Sequence, residues 1–332
     1  MGEPAFRARQ LWQWVWQKGV FDFEAMTDMS KPFRARLKRK FEITLPTVTD
    51  TQIASDGTVK LLLALADGRL VETVLIPEED RLTQCLSTQV GCPLRCSFCS
   101  TGAMGLERNL TSGEILGQVL AGRQHLARTE TGKQIKNLVF MGMGEPLLNW
   151  DNVHAALLTL NHPLGLDFST RRITVSTVGV PGMLGRLGAS GLASLAVSLH
   201  APTQELRARI MPRAAALISL EDLIRELKEY PLKPRQRITI EYILLDRIND
   251  SLDDARKLVR LLTPLKHKVN LISYNPSPCL PYDAPKPERV LDFERYLWSK
   301  GVTAILRKSK GQDISAACGQ LKTDHLKNHS AH

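Results

Sequence analysis

The chain has 332 residues, six cysteines, and 44 Lys+Arg against 34 Asp+Glu. Hydrophobic residues at 43% and charged residues at 23% exclude a mainly disordered chain, and a core of this size forms without disulfide staples, so the cysteines serve another purpose. A net charge of +10 points to a polyanionic partner without identifying it.

Residues 1 to about 45 read as helical, with Phe6, Leu11, Val15 and tryptophans at 12, 14 and 16 giving an apolar first helix. Met1 to Lys18 has no signal-peptide core, and the longest uncharged stretch, Leu187 to Gln204, is broken by Gly, Ser and Pro. A cytoplasmic protein without a membrane span is expected, in which thiols stay reduced. Ser30 followed by Pro32 marks the capped start of a second helix. Lys31, Arg34, Arg36, Lys38, Arg39 and Lys40 lie on it with no acid between them. An isolated run of this kind is a solvated face; in a chain already this basic it tilts toward phosphate-backbone contact.

Residues 46–80 alternate as strands, punctuated by Asp56-Gly57 and Asp67-Gly68. These dipeptides predict hairpin turns with both central positions at positive φ, and hence a three-stranded meander. Its last strand sets Glu72 on the face of Leu70, Val74 and Ile76. A carboxylate there is either at a solvated edge or held for chemistry, and on the residues alone the edge is favoured.

From residue 81 to 312 apolar β-rich runs alternate with helices. Strands are predicted at 82–89, 137–141, 171–178, 192–199, 237–245, 268–275 and 302–306. Helices are predicted at 114–128, 151–160, 181–189, 203–210, 219–229, 252–263 and 287–299. Such alternation implies a parallel sheet with right-handed crossovers. No nucleotide fingerprint follows the first strand, which favours an α/β fold of the partial (β/α)6 barrel type over a doubly wound sheet. Residues 313–332 then form a loop carrying Cys318 and a polar tail.

Cys92, Cys96 and Cys99 stand in C-x3-C-x2-C spacing directly after the first barrel strand. Three thiolates do not complete a tetrahedral site. One reading is zinc with Cys85 as fourth ligand, in a non-catalytic RNA-binding protein; Cys85 lies within the strand and is poorly placed for it. The other is a [4Fe–4S] cluster on three cysteines with one iron open to an outside ligand, under the apolar cover of Phe98.

At these residues the chain resembles the radical S-adenosylmethionine enzymes. Further segments narrow the resemblance to the RlmN/Cfr family of RNA adenosine methyltransferases: Gln89-Val90-Gly91-Cys92, Arg108-Asn109-Leu110-Thr111, Gly142-Met143-Gly144-Glu145-Pro146 and Asp313-Ile314-Ser315-Ala316-Ala317-Cys318-Gly319-Gln320. The resemblance runs from the N-terminal helices to Gln320 and implies a radical SAM barrel with an N-terminal accessory domain for RNA at 1–45.

What the resemblance implies for the residues is specific. Gly144 and Glu145 contact the methionine amino group of adenosylmethionine, while Ser176, Ser198, Leu199, His200 and Asn275 line the rest of its site. Taken singly, the glycines read as a turn that lets backbone approach a ligand, Ser or Asn at a strand end as a cap, and His200 as a structural histidine. Cys318 carries a methyl group from one of two adenosylmethionine molecules used per turnover, and a radical from the second activates it for addition to C2 of adenosine. Glu72 is the proton acceptor, and Cys85 resolves the adduct through a transient disulfide with Cys318. Without the resemblance, Cys85 and Cys318 each read as small buried hydrophobes, and Cys279 matches no motif. Ribosomal and transfer RNA are the implied substrates of a monomer fed by flavodoxin or ferredoxin. A Cfr-like C8 methyltransferase shares every one of these residues.

Overall fold

The computed structural model describes residues 2–79, 81–129, 132–277 and 280–322; Cys279 and the tail beyond Lys322 lie outside them. Two helices open the chain, α1 (Ala5–Trp16) and α2 (Lys31–Lys40), joined through a 3-10 turn at Phe23–Ala25. Val15, Phe23, Met26, Met29, Phe33 and Leu37 close a small core of their own. This unit rests on the barrel through Trp12, edge-on to His162 at 5.8 Å between ring centroids, and through Gln17 Nε2, which donates to Pro163 O at 3.1 Å. Helix α2 buries Phe33 and Leu37, turning its cations outward. They are not all free: Arg36 pairs with Glu3, and Arg34 donates to the Glu24 carbonyl. Both partners come from outside the run, where inspection of the run alone could not find them. The Ser30 side chain makes no capping hydrogen bond, so Pro32 is the stronger part of that start signal.

The meander is β1 (Thr47–Ile53), β2 (Val59–Ala64) and β3 (Leu70–Pro77), paired antiparallel. In its hairpins only the glycines take positive φ, Gly57 and Gly68 both at 80°. Asp56 and Asp67 instead accept hydrogen bonds from the backbone N–H two residues on, Thr58 and Arg69. The side chain thus stabilises the turn where the left-handed backbone was expected. The meander is continuous with the barrel, since β3 pairs antiparallel with β4 (Leu82–Cys85).

The remaining strands are β5 (Gln89–Gly91), β6 (Leu106–Asn109), β7 (Ile135–Phe140), β8 (Ile173–Thr177), β9 (Ser194–Ser198), β10 (Ile238–Leu244), β11 (His267–Ser273) and β12 (Ala304–Arg307). Strands β4, β7, β8, β9, β10, β11 and β12 neighbour one another in that order, all parallel. A sheet that winds one way with no reversal of order is a barrel wall rather than a doubly wound sheet. The helices that follow the strands are α3 (Ser100–Met104), α4 (Ser112–Arg128), α5 (Trp150–Asn161), α6 (Met183–Ser190), α7 (Gln204–Ile210), α8 (Pro212–Leu217), α9 (Leu220–Glu229), α10 (Leu252–Leu262) and α11 (Pro287–Ser299).

Sequence periodicity missed α3, β6 and α8, each short, and it read 82–89 as one strand. That run breaks after Cys85 because Gln118 of α4 takes over the ladder: its side chain accepts from Ser87 N and donates to Ser87 O, both at 2.8 Å. No helix among the described residues is long and apolar enough to cross a membrane.

The wall stays open between β12 and β1. The chain after β12 crosses that gap. Gly311 N donates to Asp56 Oδ2 at 3.1 Å, and Ser55 N to Asp313 Oδ2 at 2.9 Å, tying the C-terminal segment to the first hairpin.

Candidate active site

The C-terminal ends of the barrel strands, the loop after β5 and the C-terminal segment enclose about 1090 Å³ of space, counted to the open mouth. Ligand sites are typically largely apolar, with a few polar groups fixing orientation.

The cysteine loop is cinched at its neck. Gly91 has φ 75°, and a Cβ there would lie 1.8 Å from Gly105 O; Cys92 N donates to that same oxygen at 2.7 Å. Only glycine lets the two ends of the loop meet so closely. Cys92, Cys96 and Cys99 all face the cavity beside Leu94 and Phe98. Burial pushes the Cys92 thiol up to about 12, raises Cys96 well above its ordinary value and also raises Cys99. Buried thiols of this kind become thiolates only when a metal centre displaces the proton. Three thiols of one short loop bordering a shared space fit a cluster with one open position.

After β7, Gly142 and Gly144 border the cavity, but ligand approach is not what requires glycine there. A Cβ on Gly142 would meet Ser87 Oγ at 2.7 Å, and one on Gly144 would meet Gln89 Cβ at 2.6 Å. The chain itself fills that space. Glu145 is buried and its carboxylate accepts from Leu147 N and Val178 N, both at 3.0 Å. Burial raises its pKa, and these two N–H donors pull the other way. Ser176 and Ser198 end β8 and β9 with their hydroxyls 3.2 Å apart on the cavity wall.

His200 reaches the wall with φ 57° and its ring edge-on to Phe98, at 5.1 Å between centroids. Its Nδ1 accepts from Ile243 N at 3.1 Å, and burial, aided by Arg207, lowers its pKa to about 3. The ring is therefore neutral, as in the structural reading. Leu199 and Asn275 do not line the cavity. Leu199 is fully buried in the core, and Asn275 is spent on the C-terminal segment, bonding Ser309 at 3.0 Å and Gln312 at 2.7 Å.

Cys85, at the end of β4, and Cys318 face the same cavity as the three loop cysteines. Burial, then the charge of Cys318, pushes the Cys85 thiol up to about 12. Cys318 is accessible from solvent yet ringed by protein, which raises its thiol while the Arg307 guanidinium opposes the rise. Glu72 is not at a solvated edge. It is fully buried, 3.1 Å from Lys60 Nζ, and its other oxygen accepts from Lys322 N at 2.8 Å. It stands behind the C-terminal segment rather than on the cavity wall. Sequence reasoning missed Glu241, a buried carboxylate on the wall; the signal available was an acid inside the apolar run Ile238–Leu244, the same anomaly that singled out Glu72.

The chain is similar to known proteins over nearly its whole length. Residues 86–262 match the family model of the radical SAM superfamily, and residues 1–43 that of the ribosomal RNA large subunit methyltransferase N-terminal domain. The dual-specificity RNA methyltransferase RlmN of Nitratidesulfovibrio vulgaris (strain DSM 19637 / Miyazaki F) is 62% identical over 332 residues, covering 98% of this chain and 90% of that protein. The protein of the same name from Lawsonia intracellularis is 53% identical over 335 residues, covering 99% and 93%. The crystal structure of a radical SAM methyltransferase from Sphaerobacter thermophilus superposes with a TM-score of 0.90 at 43% identity, covering 97% of this chain and 94% of that one.

Proposed function

The chain belongs to the RlmN family of radical S-adenosylmethionine RNA methyltransferases, and from that membership we propose that it methylates C2 of adenosine in ribosomal and transfer RNA. The observation that carries the reading is the grouping of Cys85 and Cys318 on the cavity that Cys92, Cys96 and Cys99 also line. A cluster site alone needs three thiols; two more facing it call for covalent chemistry.

Cys92, Cys96 and Cys99 hold a [4Fe–4S] cluster. When bound, the cluster and two adenosylmethionine molecules per turnover supply the methyl group and the one-electron chemistry that an electron-poor aromatic carbon needs. Gly144, Glu145, Ser176, Ser198 and His200 border the adenosylmethionine site; Leu199 and Asn275 act on it from behind, through the core and the C-terminal segment. Cys318 carries the methyl carbon as a thioether and presents it at the mouth. Glu72 takes the proton from C2 of the adenine, the ring carbon crosslinked to the methylene, once movement of Leu321–Lys322 uncovers its carboxylate. Cys85 then attacks the Cys318 sulfur: a disulfide forms, the S–C bond breaks, and its electron pair stays with the carbon, which takes up a proton. An outside thiol reduces the disulfide.

Residues 1–45 serve as the RNA accessory domain, presenting Lys31, Lys38, Arg39 and Lys40; Arg34 and Arg36 have a share in its internal bonding. Residues 46–80, 81–312 and 313–332 act as extension, barrel and catalytic-cysteine segment. The protein works as a cytoplasmic monomer reduced by a flavodoxin or ferredoxin. Nucleoside mass spectrometry of RNA treated with the anaerobically reconstituted enzyme tests the reading: 2-methyladenosine supports it, while 8-methyladenosine or no methylated base contradicts it.

A further inference from the structure

Arg207, on α7, is 0% exposed. Lys60, buried nearly as deeply, has the Glu72 carboxylate at 3.1 Å, but no Asp or Glu among the described residues pairs with Arg207. Its guanidinium is held by carbonyls. Nη1 donates to Ile218 O at 2.8 Å and more distantly to Ala214 O at 3.5 Å, and Nη2 donates to Val178 O at 2.7 Å. Carbonyls satisfy the donors and leave the positive charge in place, where burial without an opposite charge is costly.

The cysteine loop lies beside that charge. Val178, Ile210 and Ala214 share one apolar cluster with Cys92, Leu94 and Phe98, packed against Cys96 and Cys99. Ile210 is a helical turn beyond Arg207, and its carbonyl accepts from Ser97 N at 2.9 Å and Ser97 Oγ at 3.0 Å, directly after Cys96. Burial lowers the pKa of Arg207 to about 10, so it stays charged at neutral pH, and the Cys96 thiolate is the anion that opposes the fall. The same guanidinium disfavours a charge on His200.

We propose that Arg207 is the built-in countercharge of the cluster site, a fixed cation behind the cysteine loop that makes one-electron reduction of the bound cluster more favourable. This rests on the reading of Cys92, Cys96 and Cys99 as ligands of a [4Fe–4S] cluster. Reduction adds a negative charge there, and net charge is one of the levers by which a protein sets a cluster's potential. A buried charge is screened little by water or salt. Arg207 does not border the cavity, so it acts through its field and leaves the space for adenosylmethionine untouched.

The test is a redox titration of the cluster-loaded full chain, without adenosylmethionine or RNA, followed by electron paramagnetic resonance. Arg207→Gln is expected to lower the equilibrium constant for one-electron reduction about tenfold, a potential about 59 mV more negative. Arg207→Lys breaks the same fork of carbonyl bonds but keeps the charge, and should stay within about threefold of wild type. Citrulline in place of Arg207 keeps the shape and loses the charge, and is expected to repeat the tenfold loss even if Arg207→Gln fails to fold. Equal potentials in wild type and the neutral variants overturn the proposal. So does an equal displacement of the Lys variant and the neutral ones, which is the result for an arginine that only braces the fold. A wild type that takes up no [4Fe–4S] cluster on anaerobic reconstitution overturns the functional reading, and this proposal with it.

Discussion

Two cysteine-bearing segments meet at one cavity and are held there in different ways. The loop from Cys92 to Cys99 is closed on its own stem, Gly91 against Gly105, and its backbone is braced by Ser97 N donating to Ile210 O at 2.9 Å. The segment from Gly311 to Lys322 is laid across a gap in the barrel and fastened by single hydrogen bonds to distant parts of the chain. Thr101 Oγ1 donates to Leu321 O across 220 residues, Lys322 N to Glu72 across 250, and Gly311 N to Asp56 across 255. The first arrangement suits thiols that hold a resident cluster. The second suits a thiol that must deliver carbon to RNA and be released again, because each fastening is a single hydrogen bond worth about 0.5–3 kcal/mol net.

Substitutions break this comparison at different points, starting with the covalent chemistry. Cys318→Ala abolishes methylation of RNA while iron content and the cluster's visible absorption remain those of wild type; loss of the cluster would mean that the two segments are not independent. Cys85→Ala stalls after carbon transfer, leaving protein covalently attached to RNA on a denaturing gel. Absence of that band, with RNA methylation intact, removes Cys85 from the reaction.

The fastenings come next. Lys60→Met removes the ammonium 3.1 Å from the buried Glu72 carboxylate and lowers stability by about 3–5 kcal/mol in urea titration. If the C-terminal segment is a separable layer, limited proteolysis of that variant cuts first after residue 311. On the cluster-loop side, His200 is buried neutral with its pKa lowered to about 3, whereas the unfolded ring titrates at 6.5. Below pH 6.5 the unfolded state binds a proton that the folded state refuses, so stability falls by about 1.4 kcal/mol per pH unit from this group until pH approaches 3. Replacing it, as in His200→Gln, flattens that part of the stability–pH curve; an unchanged slope assigns the loss to other groups. The smallest effect is expected from Thr101→Val, about 1 kcal/mol from the lost hydrogen bond to Leu321.

The cluster loop was legible in the sequence because its chemistry is written as spacing: three thiols within eight residues, with glycines where the neck closes. The barrel was legible for a similar reason, since buried parallel strands and amphipathic helices alternate with clear periods. Glu72 was visible as an anomaly, but its setting was not. Lys60 lies on a neighbouring strand and Lys322 at the far end of the chain, so the ion pair that buries it depends on the completed sheet. The same holds for Arg36, whose partner Glu3 belongs to another helix approach. Gly142 and Gly144 illustrate the converse. Their glycine identity is plain in sequence, yet the reason for it, contact with Ser87 and Gln89, appears only when β7 packs beside the chain after β4.

The measurement that bears most directly on the two-segment account is nucleoside mass spectrometry of RNA treated in parallel with wild type and Cys318→Ala, both carrying intact clusters. The account predicts 2-methyladenosine from the wild type and no methylated adenosine from the variant. Methylated adenosine produced by Cys318→Ala would contradict it.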